Sequence, residues 1–156
     1  MRKIIAVAGT LVLALTLSLP SLPTLAVDTG GNGGSNDSSS VNVPSMSEAR
    51  ADINAARWKS AIAKLKLIIA DNGSNADAYN LLGYAYRNLE DYKRAGQYYA
   101  RALKLDPNHT GALEYQGILF VKLGELDNAK ANLAKLGTIC GTSCEEYEDL
   151  AKAISG

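Results

Sequence analysis

Residues 76–107 carry a pattern that returns at one fixed step, the step from Gly83 to Gly117, in both directions along the chain. By that step Tyr86 recurs as Phe120, Leu89 as Leu123, Ala95 as Ala129, Tyr99 as Leu133 and Ala102 as Leu136. Stepping back, Ala95 becomes Ala61, Tyr99 becomes Leu65 and Tyr92 becomes Trp58. Self-similarity at this period builds a row of stacked helical hairpins, because each unit can bury its apolar face only against its neighbours. Such a chain is suited to holding another protein, and little in the pattern favours chemistry.

From Ser45 onward helical periodicity alternates with short turn signals, and no stretch shows the alternation of a strand. Ser45 and Glu48 have the spacing of a capping box, which satisfies the free amides at a helix start. Asn75 is placed to cap a helix whose apolar face is Ala78, Tyr79, Leu82, Tyr86 and Leu89. A turn at Glu90-Asp91 leads to a second helix bearing Ala95, Tyr99, Ala102 and Leu103, and Pro107 stops it. Gly83 and Ala95 are expected where the two helices approach most closely, with Tyr79, Tyr86 and Tyr99 filling wider gaps toward the next hairpin.

The unit over 76–109 resembles a tetratricopeptide repeat. The family pattern is met as Tyr79-x2-Leu82-Gly83-x2-Tyr86, then Ala95-x3-Tyr99, then Pro107. A third unit over 110–143 keeps Gly117 and Ala129 but has Gln116 and Gly141 where Leu and Pro are usual. A divergent unit over 45–74 fits through Trp58, Ala61, Leu65 and Ile68, yet puts Asp52 where an aromatic residue belongs. Tyr147, Leu150 and Ile154 continue the register over 144–154 as a capping helix with an acidic outer face. The resemblance implies an all-α, right-handed α-α superhelix, a solenoid of about three hairpins plus a C-terminal capping helix over 45–156. The alternative is an ordinary helical bundle.

The resemblance also implies a concave groove lined by the first helix of each hairpin. By register that lining is Asp77, Asn80, Tyr84, Arg87 and Asn88, then Glu114, Ile118, Val121 and Lys122, with Arg50, Ile53 and Asn54 from the divergent unit. Tyr84 and Ile118 are the expected anchors for an extended segment or helix. Some relatives clamp a C-terminal carboxylate with paired Lys and Asn. Here Asn80 and Tyr84 stand at those positions and Glu114 adds a repelling charge, so such a clamp is not expected.

Residues 1–26 have the layout of a secretory signal peptide: Arg2 and Lys3, an uncharged apolar run from Ile4 to Leu19, Pro20 and Pro23, then Thr24-Leu25-Ala26 at the cut. The apolar run is shorter than the roughly 20 residues of a spanning helix, although an uncleaved anchor is the alternative. Residues 27–44, rich in Gly, Ser and Asn, read as a flexible linker. Removing residues 1–26 takes the basic count from 16 to 14 against 16 acids, a formal charge of −2. That balance argues against nucleic acid as a partner. The expected product is exported, to the periplasm or as a secreted protein, without stable membrane insertion after cleavage.

Cys140 and Cys144 are the only cysteines and flank the turn before the capping helix. In an oxidising compartment they are expected to pair, tying the cap to the stack. A thiol-dependent redox or metal-handling role using both cysteines is the alternative, and His109 is the nearest candidate for a third ligand. Its plainer reading is a solvated turn residue. Neither a phosphate-binding Gly loop nor a nucleophile elbow is present in the sequence. No catalytic residue, metal or cofactor is assigned. The resemblance implies a non-catalytic adaptor or scaffold for a protein or peptide, and self-assembly into a homo-oligomer is a further possibility.

Overall fold

The computed structural model describes residues 42–156. The expected signal peptide and all of the expected linker but its last three residues lie outside the described residues. Within them the chain forms seven helices: α1 (Met46–Asn54), α2 (Trp58–Asp71), α3 (Ala76–Asn88), α4 (Tyr92–Leu105), α5 (Thr110–Leu123), α6 (Leu126–Ile139) and α7 (Glu145–Ser155). The pairs α1–α2, α3–α4 and α5–α6 are hairpins, and α7 packs on both α5 and α6. The first helices are also neighbours of one another, α1 beside α3 and α3 beside α5. This is an all-α solenoid.

Local chemistry sets the helix ends. The Ser45 hydroxyl accepts from the Glu48 amide, and the Glu48 carboxylate accepts from the Ser45 amide at 2.7 Å, completing the capping box. Asn75 caps α3 by accepting from the Ala78 amide at 3.0 Å, and Asp91 caps α4 by accepting from Arg94. Glu90 takes φ 61°, the left-handed turn that reverses the chain between α3 and α4. In the next hairpin that duty falls to Gly124, at φ 78°.

Burial follows the repeat. One cluster joins Ala61, Leu65, Leu82, Tyr86, Ala95 and Tyr99 across the first two hairpins, and a second joins Leu113, Leu136 and Leu150 at the C-terminal end. Each fully buried leucine contributes about 1.5–3 kcal/mol. The small positions work differently from the simple close-approach picture. A Cβ on Gly83 would lie 2.5 Å from the Tyr99 ring, so this glycine seats an aromatic of its own hairpin. Tyr79 likewise lies against its own hairpin, 6.3 Å from Tyr98. A Cβ on Gly117 would lie 2.5 Å from Leu150, so the equivalent glycine seats the capping helix instead.

Asp52, the residue out of pattern, is 2 % exposed. Its carboxylate accepts from the Ser60 hydroxyl at 2.6 Å and pairs with Lys64 at 2.9 Å and with Arg57. Those three donors hold its carboxyl well below the usual carboxylate range. Asp52, Ser60 and Lys64 stand one repeat before Tyr86, Arg94 and Tyr98. In the middle hairpin the same three positions form a stack: Tyr86 on Tyr98 at 5.3 Å, with Arg94 4.6 Å over the Tyr86 ring. One geometry is therefore filled by two chemistries, ionic in the first hairpin and aromatic in the second.

Candidate functional site

The first helices leave a trough between them, occupied by two adjoining cavities of about 290 Å³ each. Arg50, Leu81 and Tyr115 wall both. The first cavity adds Ile53, Asn54 and Tyr84. The second adds Asp77, Asn80 and Glu114, the His109-Thr110-Gly111 turn, and Glu145 and Glu146 from α7.

The floor is aromatic. Tyr84 and Tyr115 form it, their ring centroids 4.9 Å apart, and Trp58, outside both cavities, extends the ladder to a third hairpin at 6.0 Å from Tyr84. The Arg87 guanidinium lies 5.2 Å from the Tyr84 ring and 5.4 Å from that of Tyr115. Tyr84 thus lines the trough but is held on both sides, and it also ties successive hairpins together.

Polar groups converge at the other end. Asp77 accepts from Arg50 at 3.2 Å and from His109 Nε2 at 3.0 Å. The other His109 nitrogen, Nδ1, accepts from the Ala112 amide at 3.2 Å and caps α5. That bond fixes the tautomer with the proton on Nε2. His109 is therefore a helix cap bound to Asp77 and not a solvated turn residue. Thr110 donates to Glu146 at 2.7 Å, tying α5 to α7.

Asn80 and Glu114 are 6 % and 8 % exposed. Asn80 Oδ1 has no hydrogen-bond partner. Burial raises the Glu114 carboxyl to about 7, and Asp149, Glu146 and Glu145 push in the same direction against the opposing pull of Arg87. Asn80 Oδ1 is thus a buried acceptor without a donor, beside a carboxyl whose charge is disfavoured.

Of the residues expected in the groove, the structure brings Asp77, Asn80 and Glu114 into one cavity and Tyr84 into the other, with Arg87 above the floor. Arg50, Ile53 and Asn54 join them despite the drifted register. The others sit elsewhere. Ile118 packs against the Leu113, Leu136 and Leu150 cluster, so it serves the seam with α7. Lys122 lies 5.4 Å over the Tyr92 ring, Asn88 donates to the Tyr84 carbonyl at 2.9 Å, and Val121 is half-buried outside both cavities. Sequence reasoning missed Leu81 and Tyr115, a register pair one residue beyond Asn80 and Glu114. It also read Glu145 and Glu146 only as a solvated cap face.

Cys140 and Cys144 lie at disulfide distance, with Cα atoms 5.9 Å apart. Among the described residues they form, with Glu146, the one grouping of metal-ligand types. Sulfurs joined to each other are not thiolate ligands, and His109 is turned toward Asp77. No described helix is long and apolar enough to cross a membrane.

No curated protein matches the chain in sequence. Solved structures do match in fold. The TPR domain of Arabidopsis OM64 is 19% identical, with a TM-score of 0.64 over 70% of this chain and 89% of that one. The second TPR domain of human RPAP3, solved with the HSP70 peptide SGPTIEEVD, is 20% identical, with a TM-score of 0.62 over 70% and 91%. PcrH, solved with the chaperone-binding region of PopD, is 19% identical, with a TM-score of 0.59 over 70% and 81%. The family model described as tetratricopeptide repeat matches residues 76–109. That unit is a tetratricopeptide repeat, and the solenoid built around it has the fold of the solved TPR domains.

Proposed function

We propose that the protein is an exported, non-catalytic adaptor that holds an extended polypeptide segment in the trough between α1, α3 and α5. The observation that carries this reading is the trough of two adjoining cavities, with Tyr84 and Tyr115 in its wall and one unpartnered acceptor, Asn80 Oδ1, at one end. An extended chain carries an amide and a carbonyl per residue, so it can meet such a group while its side chains rest on the floor. The RPAP3 and PcrH structures, each solved with a bound polypeptide, support a protein or peptide as the partner class. The layout of residues 1–26 and the pairing of Cys140 with Cys144 support export, to the periplasm or beyond the cell.

Site-specific photo-crosslinking in the native compartment tests both parts. A photoreactive residue at Asn54, in the trough, should trap a polypeptide, and one at Lys104, exposed on α4, should not. The recovered mature protein should begin at Val27. Equal trapping from both positions, or none from Asn54, contradicts the trough as the binding face.

A further inference from the structure

The acidic end of the trough has one chemical property that the fold does not require: a buried acceptor without a donor lies beside a buried carboxyl that no cation pairs. Asn80 is 6 % exposed, and its Oδ1 is sealed without a partner. Glu114 is 8 % exposed, and among the described residues no base or hydroxyl reaches its carboxylate. Leaving Asn80 Oδ1 unmet is destabilising, and burial disfavours the charge of Glu114. Both line the same cavity of about 290 Å³, with Gly111 in its wall.

The cations nearby are already committed. Arg50 is bound to Asp77, and Arg87 lies over the Tyr84 and Tyr115 rings. The remaining groups facing Glu114 are Glu145, Glu146 and Asp149 from α7. Glu146 is occupied only by the Thr110 hydroxyl. The field at this end of the trough is negative, and a carboxylate or phosphate entering it would find like charge and acceptors.

We propose that this cavity receives a lysine or arginine side chain of the bound segment, with Glu114 as counter-charge and the Asn80 amide turned over so that Oδ1, in place of the Nδ2 that now faces Gly111, accepts one of its N–H donors. An ammonium or guanidinium offers donors and no acceptors, which is the complement of what the cavity presents. The inference rests on the trough being a polypeptide site and deepens that reading by naming the chemistry of the ligand. It sets this protein apart from RPAP3, whose bound peptide ends in Glu-Glu-Val-Asp. Occupation by a cation requires Glu114 to be ionised, so binding expels its proton. Affinity for basic segments therefore rises with pH through about 7. The loss between pH 8 and pH 6 is about tenfold for a single linked proton.

The test is a positional-scanning nonapeptide library, acetylated and amidated at its ends, presented to the purified full chain at pH 8 and pH 6. Pools with Arg or Lys fixed at one interior position should bind at least tenfold better than pools with Glu or Gln there, and the preference should shrink about tenfold at pH 6. Glu114→Gln, which keeps the shape, should abolish both the preference and its pH dependence while other pools still bind. Asn80→Ala should weaken the basic pools alone. Binding without a basic preference, or a preference that survives Glu114→Gln, overturns the inference and leaves the trough reading standing. Absence of binding by every pool overturns both.

Discussion

Glu114 is the residue where fold and function pull against each other. Its carboxyl titrates near 7 in the folded chain against 4.5 for an ordinary glutamate, because burial and the α7 acids disfavour its charge. The folded state therefore keeps a proton that the unfolded state has lost between those two values. Stability falls as pH rises across that window and is flat above it. Glu114→Gln should remove this slope and raise stability at pH 8 by roughly 1–3 kcal/mol, measured as denaturant midpoints across pH 4–9. A wild-type profile without a decline between pH 5 and pH 7 would show the carboxyl to be better solvated than its surroundings indicate.

At the scale of the element, the repeat is a set of positions that different residues can fill. Asp52 with Ser60 and Lys64 occupies the same places as Tyr86 with Arg94 and Tyr98. The sequence flags Asp52 as an anomaly, but its resolution needs the three donors that folding brings to it, so the divergent hairpin was visible and its chemistry was not. The glycines show the same limit. Gly83 and Gly117 are equivalent in sequence, yet one seats Tyr99 within a hairpin and the other seats Leu150 of α7. Gly83→Ala should cost about 1–3 kcal/mol in thermal melts, since the Tyr99 ring is rigid and fully buried. Gly117→Ala should cost less, because a leucine end can turn aside, and should speed amide exchange in α7 in particular. Equal losses with no local effect on α7 would contradict this division of roles.

At the scale of the whole molecule, the fixed step that carries Gly83 to Gly117 was enough to read seven helices, their pairing and the capping role of α7. The trough was legible over α1, α3 and the start of α5, and not over the C-terminal part of α5. Asp77, Asn80 and Tyr84 have α1 on one flank and α5 on the other, and they line it. Ile118 has α7 as its neighbour, and a cap that closes the stack absorbs the residue a further repeat would have exposed. The same closure delivers Glu145 and Glu146 to the cavity, which no single-repeat pattern announces.

The central claim is that the trough is where a polypeptide lies. Backbone amide chemical shifts of the labelled protein, titrated with a library-selected basic peptide, test it most directly. Saturable shifts are expected at Asn54, Asn80, Leu81, Glu114 and Tyr115, with α2, α4 and α6 unmoved on their outer faces. Shifts confined to those outer faces would place the binding surface elsewhere and contradict it.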